Sequence, residues 1–424
     1  MGIGAVGIRE IAKYSNNKNQ LNSVFSSLLF LVTISTVIAI LILLTCIFLV
    51  PEFYEHRKLL FIGVIKLIFN IVLVDWLYKG LEAFRYITLR TIFVKILYVV
   101  SIFLFVKNSN DYAIYFSLTC LLAILNSIID FVLSRKYVSL SFKNTNLKKY
   151  LYPFISVGIY VILTSMYTSF NTVYLGIKSE AKEVGYYTTA TKLYAILLAV
   201  FTAFTGVMLP RMTSLAAEGR MEEFHDKIYK SYNFLFIFTF PLIVFTEIFA
   251  PQIIQLIAGP GYEGAILPMR IVMPLLVIIG IEQILIIQVL MPLGKDRAIL
   301  WNSVMGAVLG LLLNILLVSH LKSVGSALVW VFCEFAVLIG AQTMVSRHSG
   351  IKFPFKDFLK QFLLSLPIIL MVVLLKKEFL LSTIDFFIIG GTLVVIYYFL
   401  LNIFIFKNQI MIQFLDNVRN KLKW

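Results

Sequence analysis

Charge is scarce in this chain. Only 14% of its 424 residues are Asp, Glu, Lys or Arg, while 60% are hydrophobic; an average soluble domain carries about 25% charged residues. So few charges cannot cover a water-facing surface, and lipid has to cover it instead. Cysteine is scarce too: Cys46, Cys120 and Cys333 all lie inside apolar runs, where they act as small buried hydrophobes and exclude a disulfide framework. The four histidines, His56, His225, His320 and His348, have no ligand-like spacing, so no metal site is expected. No Asp-x-Asp pair is present for a nucleotide-sugar transferase, and Gly294-Lys295 lacks the first glycine of an ATP-binding loop. No catalytic residue and no cofactor are expected.

What is present is a succession of long apolar runs. Twelve stretches have the length and composition of membrane-spanning helices: 24–50, 59–77, 90–106, 112–133, 150–175, 186–209, 232–257, 267–291, 299–318, 324–345, 358–375 and 384–406. At about 20 residues per span they consume most of the chain and leave no room for a soluble domain. The expected fold class is therefore an all-α integral membrane protein. The first run follows a basic, amphipathic leader and has no small-residue cleavage site after it, so it reads as a retained span.

Of the 37 Lys and Arg residues, 25 fall in connections on one side, 8 on the other and 4 inside spans. The excess of basic residues on the inner face puts both termini in the cytoplasm. The heaviest clusters are Arg135, Lys136, Lys143, Lys148 and Lys149, and then Arg347, Lys352, Lys356 and Lys360. Much of the net charge of +15 is thus topology, with anionic headgroups as its counterpart and no nucleic-acid role.

The chain also repeats itself. The segment GAVGIREIAKYSNNKNQLNSVFSSLLF from Gly4 aligns with GVMLPRMTSLAAEGRMEEFHDKIYKSYNF from Gly206 if one residue is added in the first copy's loop. Each reads as the end of a span, an arginine (Arg9 or Arg211), a polar hairpin and the next span. The spans that follow match in order. Such parallel repeats build two-lobed transporters, here with lobes at 1–149 (four helices) and 150–347 (six helices), and a helix pair at 348–424. Two spans precede the shared segment in the second copy and none in the first. The expectation is a reading frame extending upstream of Met1 by about 60 residues, enough for two more spans.

Six motifs, GIREIAK from Gly7, DWLYKGLEAFRYITLR from Asp75, YTSFNTVYLG from Tyr167, VGYYTTATK from Val184, VMLPRM from Val207 and MPLGK from Met291, resemble those of Wzx-type polysaccharide flippases. These belong to the multidrug/oligosaccharidyl-lipid/polysaccharide exporter superfamily. The resemblance runs from Met1 to about Arg347, and the last two spans fit the extra pair that many members carry. It implies translocation of an undecaprenyl-pyrophosphate-linked oligosaccharide across the bacterial cytoplasmic membrane by alternating access. The polysaccharide polymerase and glycosyltransferases of the same pathway are the implied partners. Many relatives carry an acidic residue where this chain has Asn171.

Read from the residues alone, an anionic lipid substrate is suggested by cations inside spans, each of which costs about 2.5 to 3.5 kcal/mol to insert at the midplane. Lys66 is mid-span with Asn70 one turn away; Lys95, Lys192 and Arg270 lie nearer span ends, where they can also snorkel to headgroups. Ser156, Tyr160, Thr164, Tyr167 and Asn171 recur at helical spacing as a polar stripe, either a hydrated path or a packing face. A second stripe, Thr188, Lys192, Ala195, Ala199, Thr202 and Gly206, favours packing below Lys192, as does the Gly306 and Gly310 pair. Glu247, Glu282 and Glu334 are in-span acids that suit proton or sodium coupling, or pair with Arg270 or Lys192. Asp75 and Asp130 are expected to pair with Lys79 and Arg135. A multidrug exporter of the same fold and a membrane-embedded glycan polymerase or ligase are the competing readings, the latter disfavoured by outer loops no longer than about ten residues.

Overall fold

The computed structural model describes residues 2–49, 53–54, 57–108, 111–141, 145–378 and 383–400. Lys143 and His56 lie outside them. The described residues are helical throughout, with no strand, because a backbone in hydrocarbon must satisfy its own hydrogen bonds. Among the described residues sixteen α-helices follow one another. The first eight are α1 (Ile3–Lys13), α2 (Lys18–Leu49), α3 (Arg57–Asn70), α4 (Asp75–Gly80), α5 (Phe84–Phe105), α6 (Tyr112–Ser134), α7 (Leu147–Tyr167) and α8 (Ser169–Lys178). After them come α9 (Ala181–Ala217), α10 (Met221–Ala258), α11 (Ile266–Val272), α12 (Leu275–Gln283), α13 (Asp296–Leu313), α14 (Ser319–Ser349), α15 (Phe355–Glu378) and α16 (Thr383–Leu400). Nine stretches among the described residues are long and apolar enough to cross a membrane, and one of these, 296–349, contains two spans. It folds back at Lys322, whose φ of 50° and ψ of −124° break the helix. The chain is a multi-pass membrane protein.

Helix α10 begins eleven residues before the expected span at Tyr232. Its first turns are amphipathic: Phe224, Ile228 and Tyr232 are buried while Glu222, Asp226 and Lys230 face outward, so the helix continues past the apolar run. Pro153 and Pro241 sit inside continuous helices. Pro268 occupies the first turn of α11, and Pro274 caps α12 where the helix breaks.

The repeat is visible in the backbone. Helices α1 and α2 are joined by the four residues 14–17, and α9 and α10 by the three residues 218–220; Arg9 stands nine residues before the start of α2 and Arg211 ten before the start of α10, so the first copy is one residue shorter over this stretch, as the alignment requires. Glu82 (φ 55°) and Gly294 (φ 67°) turn the chain in the left-handed region just ahead of α5 and α13. Glycine takes that conformation freely and glutamate at a cost of about 1 kcal/mol or more.

Two compact units result. One comprises Met1–Val161, Gly206–Gly219 and Met291–Asp296; the other comprises Ile162–Thr205, Arg220–Leu290 and Arg297–Trp424. In the first, α1 and α4 meet through two glycine notches: a Cβ on Gly7 would lie 2.7 Å from the Trp76 ring, and one on Gly80 2.7 Å from Ile11 Cβ. Trp76 then stacks on Phe25 of α2 at 5.4 Å. In the second, Tyr167 is fully buried across Gly306 and Gly310 of α13, where added Cβ atoms would lie 3.1 and 2.6 Å from it. That glycine pair is a packing notch.

Candidate transport site

In the first unit the charged residues pair. Arg90 hydrogen-bonds Asp130, and its Nη2 reaches Asp75 Oδ1 at 2.8 Å. The Tyr78 hydroxyl donates to the Asp130 carbonyl at 2.6 Å and the Tyr86 hydroxyl to its carboxylate at 3.2 Å. Lys79 lies 3.7 Å from Asp75 as expected, but the partner of Asp130 is Arg90 and not Arg135. Sequence reading placed Arg90 at the edge of its span; α5 in fact starts at Phe84, so the guanidinium enters nearly two turns deep and finds both acids. This cluster ties α4, α5 and α6 together. It is a clamp in which each charged side chain has an oppositely charged neighbour, although Arg90 Nε and Asp130 Oδ2 are buried without a hydrogen-bond partner.

A second clamp lies at α1. Arg9 Nη1 and Nη2 bond the two Asp296 carboxylate oxygens at 2.5 and 3.0 Å, Nη1 also donates to the Met291 carbonyl at 3.1 Å, and Nε reaches Glu10 at 3.0 Å. Lys13 completes the chain through Glu10 at 2.9 Å.

Lys66 and Lys95, in contrast, are exposed and form no ion pair among the described residues. Asn70 is exposed on the same helix as Lys66. Lys192, in the second unit, is likewise exposed. Arg270 is half-buried and its Nε donates to the Glu247 carbonyl at 3.1 Å, so the two residues meet through the Glu247 backbone.

The polar stripe of the fifth expected span does not run on as one face, since the helix breaks at Thr168 between α7 and α8. Tyr160 and Thr164 are half-buried on α7, and Tyr160 belongs to the first unit. Tyr167 and Asn171 are wholly buried in the second. The Asn171 amide donates to the Tyr187 hydroxyl at 3.2 Å and to the Ser326 carbonyl at 2.8 Å, while its own Oδ1 is buried without a partner.

From Ser326 the polar core continues along one face of α14, where Ser326, Trp330 and Glu334 recur every four residues. Trp330 packs edge-on against Tyr194 at 5.0 Å and donates from its indole to Glu334 at 3.0 Å. Glu334 and Glu282 of α12 are near enough to influence one another, and both are almost wholly buried. Neither has a basic partner within ion-pair distance among the described residues, and Glu282 Oε2 bonds nothing. Gln283, beside Glu282, bridges Thr202 and Thr205 of α9 at 3.0 Å each, so the lower part of the second stripe is a packing contact. Glu282 and Glu334 thus lack a cation among the described residues to answer them, and Asn171 Oδ1 is a separate buried acceptor, whose partner Ser326 lies two turns from Glu334 on α14. Sequence reading named the acids separately; the four-residue recurrence of Ser326, Trp330 and Glu334 was the available signal that they share a face with Asn171's partner.

The geometry accords with what the chain is similar to. A family model described as "Polysaccharide biosynthesis protein" matches residues 1–216. A protein named "Putative O-antigen transporter", from Escherichia coli (strain K12), is 24% identical over 339 residues, which are 79% of this chain and 81% of that one. Among solved structures, the lipid II flippase MurJ in an inward closed conformation aligns with a TM-score of 0.69 at 15% identity, covering 96% of this chain and 89% of that one. An outward-facing multidrug resistance MATE family transporter of the MOP superfamily aligns at 0.67 and 16%, covering 82% and 83%. At these identities the two structures establish the fold.

Proposed function

This chain belongs to the polysaccharide biosynthesis protein family, and from that premise we propose that it is a flippase for a lipid-linked oligosaccharide. The cargo hangs from undecaprenyl pyrophosphate and crosses the bacterial cytoplasmic membrane in an alternating-access cycle, with both termini of this chain on the cytoplasmic side. The single observation that carries the reading is the similarity to a putative O-antigen transporter over 79% of the chain.

The exposed in-span cations support it. A diphosphate needs donors where water is absent, and Lys66 and Lys95 spend their charge on no acid among the described residues, with Lys192 a further candidate. The Glu282–Glu334 pair is the proposed coupling site: two carboxyls this close repel when both are charged, so binding or loss of one proton or sodium ion changes how α12 and α14 hold together. The protein acts as a transporter and not an enzyme, beside the polymerase and glycosyltransferases that handle the same glycan. Expression in a strain lacking its own flippase tests this. Restored surface polysaccharide is expected; resistance to cationic drugs without polysaccharide would instead assign the chain to drug export.

A further inference from the structure

A cavity of about 570 Å³ opens in the second unit among α10, α12, α14 and α15. Its floor is Phe240, Val244, Val277 and Ile281, all buried, and its exposed rim includes Phe335 and Phe362. Three polar residues also line it. The Ser365 and Thr343 hydroxyls are spent on the carbonyls of Phe362 and Gly340, at 2.6 and 2.8 Å. Gln342 donates to Ser346 and to the Ile351 carbonyl, but its Oε1 is buried and accepts nothing. Water needs two to four polar partners to stay in such a space, and a void this large beside hydrocarbon is not left empty.

The polar end of the cavity is also its basic end. Arg347 stands one turn beyond Thr343 on α14, while Lys352 and Lys356 flank the lining residue Phe353 and precede Phe358. All three basic side chains are exposed, and Asp357 is the acid among them. An apolar slot with a cationic mouth and one unanswered acceptor has the chemistry of an anionic phospholipid: acyl chain inside, phosphate against the basic residues, a headgroup hydroxyl for Gln342 Oε1. The geometry points to a bound anionic glycerophospholipid, phosphatidylglycerol in character, that fills this cavity and holds α15 against α10 and α14. It is a resident lipid of the transporter, separate from the translocated cargo.

The test uses the full chain purified in detergent. Extracted lipid is identified by mass spectrometry, and the unfolding temperature is followed on titration with phosphatidylglycerol or, separately, phosphatidylcholine. Phosphatidylglycerol is expected to be retained through purification and to raise the unfolding temperature by several degrees, with phosphatidylcholine inert. Reversing Lys352 and Lys356 together, K352E/K356E, should weaken the phosphatidylglycerol response about tenfold or more, at about 1 kcal/mol per basic residue near a charged headgroup. Val277→Trp, which fills the floor, should abolish retention while leaving the purified protein monodisperse. Arg135→Glu, at a basic cluster of the other unit, should leave the response intact. A phosphatidylglycerol response indifferent to K352E/K356E and to Val277→Trp would overturn the proposal. So would a retained lipid that proves to be a polyprenyl phosphate, since the cavity would then belong to the cargo.

Discussion

Arg9 and Asp296 stand 287 positions apart in the chain and meet in a two-pronged ion pair, buried on both sides at 3% and 5% side-chain exposure. Asp296 opens α13, and its carboxylate reaches back to the arginine of the GIREIAK motif in the same compact unit. The Met291 carbonyl takes a further hydrogen bond from that guanidinium, so the 291–296 turn is gripped at both ends.

Removing one partner strands the other in low dielectric. Arg9→Ala or Asp296→Ala is expected to destabilise the detergent-purified protein by about 3–5 kcal/mol. Thermal unfolding of the two single variants and of R9A/D296A measures this. The double variant should recover part of the loss, and a strictly additive cycle would show that the pair contributes no coupling.

Lys66→Ala should abolish polysaccharide export while the protein still inserts, and Lys66→Arg should retain part of the activity. The charge is expensive in the bilayer and answers no acid among the described residues, so its partner is the transient anionic cargo; arginine keeps the charge with a different donor geometry. Surface polysaccharide is compared with the amount of protein in the membrane fraction. Wild-type polysaccharide from the alanine variant would remove Lys66 from the substrate path.

Glu334→Gln and Glu282→Gln should each reduce export at least about tenfold without loss of fold, because an amide keeps the hydrogen bonding and cannot exchange a proton. Export measured with and without a collapsed proton or sodium gradient reads the coupling. The expected result is a residual activity that no longer responds to either gradient; an unchanged gradient dependence in both variants would place coupling elsewhere.

Gly7→Val should cost about 1–3 kcal/mol, since a side chain there drives into the Trp76 ring and overpacking costs energy of that order. Ala at Trp76 in the same chain should relieve the clash and restore part of what Gly7→Val alone loses. Unfolding temperatures of the three variants decide it.

How far the sequence could be read depends on the range of each interaction. The spans were legible because a bilayer demands an apolar run of fixed length, and the repeat because its two hairpins keep the same order of residues. The glycine pair at 306 and 310 was legible as a notch, since small residues one turn apart leave a gap on a helix face. The Asp130 partner was misassigned because the nearest charge in sequence, Arg135, lies beyond the helix end, while Arg90 faces it from α5. The break at Thr168 went unseen: no proline or glycine marks it, and it divides what looked like one continuous stripe.

Composition and periodicity alone determined that this protein lives in a membrane, that it is helical, that its halves repeat and which charges are costly. These follow from water and lipid acting on each residue in turn. Which of the costly charges are answered was settled only by folding. Arg90 meets two acids and Arg9 two more, Arg270 turns to a carbonyl, and Glu282 and Glu334 are left with no base within ion-pair distance among the described residues. The energy of a buried charge depends on what stands within a few ångströms of it, and packing brings together residues that the chain keeps hundreds of positions apart.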